Sequence, residues 1–335
     1  MIETKKKSSP LWQVGKLALV AGLLVFLSKK GFISVSAMER ALTQWNEILP
    51  AFFVMTLAAV LGVFRWQWLL QAQDIHLGFF RTFELTLVGQ FFNTALPGAV
   101  SGDFVKAFYI GRDLGGQRAR SFGSILFDRV AGLSALVLVS ACAFTLGINS
   151  FWDSPLRKGV QVFIVLATGS VLFFYAYLFL VREHHDPVLR IFKLAEARMP
   201  RLGVLARTYE ALRHYHNHRI TVVKVLAVSV VIHLMMGWAY LHLAQALGEM
   251  GLPLLSLYVI VPLGMLVTAV PIFPAGLGTG HAAFLYLFTL IGSQRGADVF
   301  SLAVLYNVLL SGVGGLVYLR FKSAGGPPAV LAAGA

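Results

Sequence analysis

GVQVFIVLATGSVLFFYAYLFLV, at residues 159–181, carries no charged side chain over 23 consecutive residues. A helix of about 20 apolar residues is long enough to cross the hydrocarbon core of a bilayer, so this run predicts a transmembrane helix. Five further runs are predominantly apolar and of similar length: Leu11–Ser28, Ile48–Gln71, Ser121–Gly147, Ile220–Gly248 and Val299–Leu319. We therefore predict an all-α integral membrane protein with about six full transmembrane helices.

The composition supports this fold class. Apolar residues make up 57% of the 335, charged residues make up 13%, and the mean hydropathy is +0.74, whereas soluble domains average about 45–50% apolar and about 25% charged. The net charge of +13 predicts contact with anionic lipid rather than nucleic acid, because no soluble face is large enough to read a groove. The single cysteine, Cys142, excludes an intrachain disulfide and a multi-cysteine metal site.

Two shorter apolar segments are each interrupted by a cluster of Pro and Gly. The first has arms Thr82–Leu96 and Asp103–Ile110, and the second has arms Leu254–Val270 and His281–Ile291. Pro and Gly at this density end a helix, and the second arms are too short to cross the bilayer easily. We predict two re-entrant helical hairpins, whose turns include Pro97, Gly98, Gly102, Pro271, Pro274, Gly276 and Gly278.

The charges of the loops predict an orientation. With the N-terminus inside, 20 Lys and Arg residues (Arg65 among them) are cytoplasmic, 6 are outside, and Lys106 and Arg129 are embedded. By the positive-inside rule, both termini and the Arg182–Arg219 loop are cytoplasmic. The order of elements also predicts one membrane domain with inverted-topology repeats at about 1–150 and 151–322, and a flexible tail at 323–335.

Three acids lie at membrane depth, where a charge is costly and marks a candidate functional site. Asp103 follows the first break, and Lys106 is its i,i+3 neighbour. Either the helix start and Lys106 bind an anionic headgroup, or Asp103 and Lys106 form a cap and ion pair that satisfies itself. Asp128 and Arg129 are adjacent, so they point in different directions and meet different partners, with Lys106 and Asp103 as candidates. They form either a structural charge lock or a substrate contact. Glu84 is interpreted as a surface partner of Arg81 rather than a proton carrier.

The second break ends at Thr279 and His281. Thr279 is predicted to cap the following helix, and His281 is either a packing residue or a contact for a proton or phosphate. In the Arg182–Arg219 loop, Leu202, Leu205, Tyr209 and Leu212 have helical spacing, which predicts a helix lying on an anionic leaflet. The histidines of this loop are interpreted as solvated, and we predict no metal site and no cofactor: His184, His185, His214, His216 and His218.

Several short motifs together resemble the lysylphosphatidylglycerol synthase transmembrane-region family. They are Asn93–Gly98, Gly102-Asp103 with Lys106, Asp128-Arg129, and Pro271, Pro274, Gly276 and Gly278, and their order spans nearly the whole chain. The family usually has an arginine where Lys106 stands and a glutamate where His281 stands. Each departure leaves the role of that residue open. At Lys106, the lysine keeps the charge but lacks the bidentate fork of an arginine.

The resemblance implies a bacterial inner-membrane protein that translocates an anionic phospholipid or a lipid-linked headgroup. Lys106 and Arg129 would meet the phosphate, Asp103 would position them, and Asn93 would hydrogen-bond the headgroup. The family's synthase reaction belongs to a soluble C-terminal domain, and only residues 321–335 follow the last span, so we expect no enzyme activity. The alternatives are an integral-membrane enzyme acting on lipid phosphate or lipid-linked sugar, and a scaffold for a partner enzyme that uses the basic loop.

Overall fold

A computed structural model describes residues 35–95, 101–113, 117–147, 156–182, 185–199, 203–269 and 276–323. These residues form twelve α-helices and a 3₁₀-helix, His214–Asn217, and none of them lies in a strand. The α-helices are α1 (Val35–Thr43), α2 (Trp45–Gln71), α3 (Phe79–Ala95), α4 (Ser101–Asp113), α5 (Arg118–Leu146), α6 (Leu156–Leu180), α7 (Pro187–Arg198), α8 (Gly203–Arg213), α9 (Arg219–Ala246), α10 (Leu254–Thr268), α11 (Thr279–Thr289) and α12 (Gly296–Ser323).

Five of these helices are long and apolar enough to cross a membrane: α2, α5, α6, α9 and α12. Each overlaps a run predicted from the sequence, with bounds that differ by a few residues. The sixth predicted span, Leu11–Ser28, lies outside the described residues. The chain is therefore an all-α integral membrane protein, as predicted.

The two interrupted segments are pairs of short helices. In the first, α3 and α4 have 17 and 13 residues, and in the second, α10 and α11 have 15 and 11. At 1.5 Å per residue each is shorter than the roughly 30 Å hydrocarbon core, and the helices of each pair pack on one another. The predicted turn residues Pro97, Gly98, Pro271 and Pro274 lie outside the described residues, whereas Gly276 and Gly278 adopt positive φ angles of 69° and 83°.

The bundle is assembled by close contacts between these hairpins and the spans. Helix α2 packs on α9, α12 packs on α3, and α5 packs on α10. The α12–α3 contact depends on Gly314, because a Cβ atom there would lie 2.1 Å from the Leu87 carbonyl oxygen. Helix α6 instead exposes apolar side chains such as Val165, Leu166 and Phe173. This exposed apolar surface suits contact with lipid.

The loop after α6 differs from the single amphipathic helix predicted there. It forms two helices, α7 and α8, which expose Ile191, Leu194 and Leu205. Leu202 lies outside the described residues. The hydroxyl of Tyr209, predicted to lie on the leaflet, donates to Asp186 Oδ2 at 2.8 Å. Three of the loop histidines are less solvated than predicted, since His216 Nδ1 lies 2.9 Å from the Leu178 carbonyl oxygen and His214 lies 3.2 Å from His218. His185 is exposed, and His184 lies outside the described residues.

Asp186 anchors this loop to α6. It is completely buried, caps α7 through the N–H groups of Val188 and Leu189, and forms a 3.0 Å ion pair with Arg213. Burial by itself would raise the pKa of Asp186, but the hydrogen bonds from Tyr177, the backbone and Tyr209, together with Arg213, hold it below its ordinary value. The loop is therefore fixed by an ionised carboxylate rather than by lipid contact alone.

Candidate functional site

A hydrogen bond to a side-chain amide oxygen joins the two helices of the first hairpin. The N–H group of Gly102, in the first turn of α4, donates to Asn93 Oδ1 of α3 at 2.8 Å. A Cβ atom at Gly102 would lie 1.9 Å from the Gly89 carbonyl oxygen, so only glycine allows the two backbones to approach this closely. Asn93 was predicted to meet a headgroup, and its amide oxygen takes part in the hairpin contact.

The close approach positions Asp103 between two cations. Its carboxylate lies 3.5 Å from Lys106 Nζ, one turn along α4, and accepts a hydrogen bond from Arg129 Nε of α5. The Asp103 side chain is 4% exposed and that of Arg129 is 35% exposed. The structure therefore brings Asp103, Lys106 and Arg129 together, as predicted, with the acid buried and the arginine reaching outward.

Asp128 pairs with a residue that the sequence analysis missed. Its two oxygens accept from Arg65 Nε at 2.7 Å and Nη2 at 2.9 Å, while Arg65 Nη1 donates to Ser229 Oγ at 3.1 Å. The expected partner, Lys106, is instead the ion-pair partner of Asp103. Arg65 was counted as a loop charge, but it lies inside α2, and this correction reduces the cytoplasmic count from 20 to 19. Because this residue lies within the predicted span Ile48–Gln71, the cost of embedding its charge could have identified it.

Four of these charged groups line two adjoining cavities within the helix bundle, and Asp103 lines neither of them. The larger has a volume of about 420 Å³ and is lined by Arg129, His233 and Asn307 among others. The smaller has a volume of about 210 Å³ and is lined by Lys106 and Trp66. Arg65 and Asp128 line both. Three members of the predicted cluster, Lys106, Asp128 and Arg129, thus line a largely apolar space at the first hairpin, and His233 and Asn307 are further polar residues of this space that sequence reasoning missed.

The cluster has an excess of positive charge. Among the described residues that form it, three are cations (Arg65, Lys106 and Arg129) and two are acids (Asp103 and Asp128). Lys106 Nζ also lies 4.7 Å from the centre of the Trp66 ring, which stabilises a cation. In a low-dielectric bundle an uncompensated positive charge attracts an anion far more strongly than in water. The arrangement can therefore attract an anion.

Polar contacts connect the first hairpin to α12 beside this space. Gln90 Nε2 donates to Asn307 Oδ1 at 3.2 Å, and the hydroxyls of Thr94 and Ser311 are 2.7 Å apart. Ala269, just after α10, also lines the larger cavity. Both hairpins therefore reach the same space.

Thr279 and His281 line neither cavity. Gly278 rather than Thr279 occupies the cap position of α11, and the Thr279 hydroxyl donates to the Gly276 carbonyl oxygen at 3.4 Å. The Gly278 N–H group donates to His281 Nδ1 at 3.3 Å, so Nε2 carries the proton and donates to Ser301 Oγ at 3.0 Å. His281 is 1% exposed, and these bonds fasten the start of α11 to α12.

Glu84 lies apart from the cluster and forms the predicted pair with Arg81, at 3.3 Å. Within the described ranges, no three His, Cys, Asp or Glu side chains are grouped to hold a metal ion.

Comparison with known proteins identifies the chain's family. Neither the curated proteins nor the solved structures include a match to this sequence. A family model described as the lysylphosphatidylglycerol synthase TM region matches residues 13–314, which include both hairpins and the charged cluster. The chain therefore belongs to the lysylphosphatidylglycerol synthase transmembrane-region family.

Proposed function

We propose that this protein transports an anionic phospholipid, or another lipid-linked anionic headgroup, across the bilayer. The observation that carries the proposal is the cluster of three cations and two acids inside an all-α membrane bundle, of which every member but Asp103 lines one or both of the two adjoining cavities. Such a cluster is costly in a membrane unless it serves a polar ligand or pathway. The family's connection with lipid agrees with a lipid headgroup as that ligand.

Within this proposal, Arg129 makes the main contact with the headgroup phosphate. It lines the larger cavity, and at 35% exposure it is the most accessible of the three cations. Lys106 is 14% exposed and faces the smaller cavity. Asp103 holds both cations while no lipid is bound, and the phosphate displaces this internal carboxylate as the partner of Arg129. Competition of this kind keeps binding weak enough for the lipid to leave on the other side.

The two halves of the chain would move relative to one another to expose the cavity to each leaflet in turn. Arg65 of α2 bonds both Asp128 of α5 and Ser229 of α9, so this network joins helices of the proposed repeats 1–150 and 151–322. Gln90 and Asn307 form a second bond between the halves. In transporters built from inverted repeats, sites lie near the midplane at broken helices, and the repeats rock around them.

We further propose that the protein is not an enzyme and that it lies in the bacterial inner membrane with both termini cytoplasmic. The two acids of the cluster, Asp103 and Asp128, are each paired with a cation. This pairing makes them poor candidates for proton transfer, which needs an acid or base free to exchange a proton.

Reconstitution of the purified protein in liposomes tests the function. Liposomes carry a fluorescent phosphatidylglycerol in one leaflet, an impermeant quencher reports its transfer, and the recovered lipid is analysed by mass. We expect transfer of chemically unchanged lipid above the rate of empty liposomes. Chemical conversion would establish an enzyme instead, and the absence of both transfer and conversion would contradict the proposal and favour a scaffold.

A further inference from the structure

A further cavity lies where the loop helices α7 and α8 meet the end of α2 and the start of α5. It has a volume of about 660 Å³ and shares no lining residue with the two cavities of the charged cluster. Its size falls within the range of small-molecule sites, about 300–1,000 Å³. In the predicted topology it lies on the cytoplasmic side of the membrane. We call it the loop cavity.

Buried contacts hold the wall of the loop cavity in place. The buried Gln73 side chain donates from Nε2 to the Ala211 carbonyl oxygen of α8 at 2.6 Å. The buried Arg213 forms the ion pair with Asp186 and donates to the Leu178 carbonyl oxygen at 3.0 Å. Gln73, Ala211 and Arg213 all line the cavity. The site is therefore formed before any ligand binds, which lowers the entropy cost of binding.

The accessible charges of this wall are mostly positive. Arg213 is occupied by its buried contacts, but three further cations line the cavity, Arg120, Lys193 and Arg207. Among the described residues that line it, Glu210 is the single acid. The wall thus presents three accessible cations and one carboxylate to whatever enters the cavity.

A ligand can displace the existing partners of these cations. Lys193 Nζ lies 3.3 Å from Glu210 Oε1, and Arg120 Nη1 lies 3.5 Å from Oδ2 of Asp74, which is outside the wall. These four side chains are between 45% and 71% exposed, and ion pairs this accessible to water are weak. Arg207 is exposed and takes part in none of the ion pairs of the described residues.

We propose that the loop cavity binds a phosphate group, carried by a soluble metabolite or by a lipid headgroup, at a site separate from the transport cavity. A phosphate monoester carries about −1.5 to −2 charges at pH 7 and three acceptor oxygens, which suits three accessible cations. The planar forks of Arg120 and Arg207 match the geometry of a phosphate. This inference goes beyond the proposed function and does not depend on it.

Glycerol 3-phosphate and dihexanoyl phosphatidic acid distinguish the two sources of phosphate. Both present a phosphate monoester on glycerol, but only the second carries acyl chains. Binding of each to the purified full chain in detergent is measured by isothermal titration at fixed ionic strength. Binding of glycerol 3-phosphate would identify a site for soluble phosphates, and binding of phosphatidic acid alone would identify a headgroup site. Binding of neither would overturn the inference.

The variant Arg207→Gln tests whether the phosphate binds in the loop cavity. Loss of hydrogen bonds to a charged group should weaken binding at least about tenfold. Arg198→Gln is the matched control, because it removes an exposed cation of α7 that does not line the cavity. Its affinity should stay within about twofold of the wild type. Equal affinities of the two variants would overturn the inference.

The variant Arg129→Gln separates the loop cavity from the transport cavity. It should bind the phosphate ligand as tightly as the wild type does, because Arg129 does not line the loop cavity. Binding that is lost in Arg129→Gln but kept in Arg207→Gln would overturn the inference and leave the proposed function standing. Binding that depends on Arg207, in a protein that transports no lipid, would contradict the proposed function and leave the loop cavity as a phosphate site.

Discussion

Asp103 is a single carboxylate that serves two cations, and this changes what the loss of either cation should do. Removing one partner of an isolated buried ion pair costs about 3–5 kcal/mol, because the other charge is stranded. Asp103 keeps Arg129 when Lys106 is removed, whereas Lys106 and Arg129 both lose a partner when Asp103 is removed. The acid is therefore the residue on which the stability of the cluster depends.

We expect Lys106→Ala to cost about 1–3 kcal/mol, less than the loss of an isolated pair. Asp103→Asn should lower the unfolding temperature further, because it raises the excess charge of the cluster from one to two. Thermal unfolding of both variants and of the double variant in detergent measures this order. An equal fall in unfolding temperature for the two single variants would show that Arg129 does not neutralise the charge of Asp103 when Lys106 is absent.

Asp186 gives a prediction for pH. Its pKa is depressed in the folded protein, so it contributes stability above the unfolded pKa of about 3.9 that is lost as the pH falls through the folded pKa. The difference in unfolding temperature between the wild type and Asp186→Asn should thus be full at pH 7 and shrink below about pH 4. A difference that stays constant down to pH 3 would contradict an ionised anchor.

At the residue scale, the sequence predicts which charges are embedded better than it predicts how they pair. The cost of burying a charge identified Asp103, Lys106, Asp128 and Arg129, and they do lie together. The predicted partner of Asp128 was wrong because the sequence does not show that α2 lies beside α5. That packing brings Arg65 into contact with Asp128. His233 was missed for a related reason. A histidine in an apolar helix carries no signal of function until the surrounding helices show that it lines a cavity with Arg129.

At the scale of the elements, the first hairpin depends on a close backbone approach that a single methyl group would prevent. We expect Gly102→Ala to cost about 1–3 kcal/mol, since its Cβ atom would meet the Gly89 carbonyl oxygen rather than a flexible side chain. Gly169→Ala is the matched control, because a Cβ atom there, in helix α6, meets nothing within 4 Å. The unfolding temperature should fall for Gly102→Ala and should not fall for Gly169→Ala. An equal change in unfolding temperature for the two variants would mean that α3 and α4 can separate without a loss of stability.

The five described spans and the short helices of the two interrupted segments follow from apolar length and from Pro and Gly density, so the sequence predicted these helices well. The loop between α6 and α9 was predicted less well. Its apolar spacing indicated a helix, but spacing alone cannot show that Tyr209 would bond a buried Asp186 rather than lie on lipid. Nor does it show that Arg213 would donate to the carbonyl oxygens of Leu178 and Val181 at the end of α6.

At the scale of the whole molecule, orientation is the first testable property. With Cys142 replaced by alanine, we expect a cysteine substituted for the exposed Asn217 to react with an impermeant thiol reagent only after cells are opened. A cysteine substituted for the exposed Lys158, on the opposite side in the predicted topology, should react in intact cells. The reason is the asymmetry of Lys and Arg between the loops. The reverse pattern of labelling would invert the topology.

The central claim is that a cationic side chain in the cavity carries a lipid phosphate across the membrane, and Arg129 is the residue that tests it most directly. Lipid transfer by Arg129→Gln in liposomes is compared with that by Arg81→Gln, which removes a cation of a surface pair with Glu84. Loss of a hydrogen bond to a charged group should slow transfer at least about tenfold in Arg129→Gln. We expect Arg81→Gln to transfer lipid at close to the wild-type rate. Wild-type transfer by a folded Arg129→Gln protein would contradict the account.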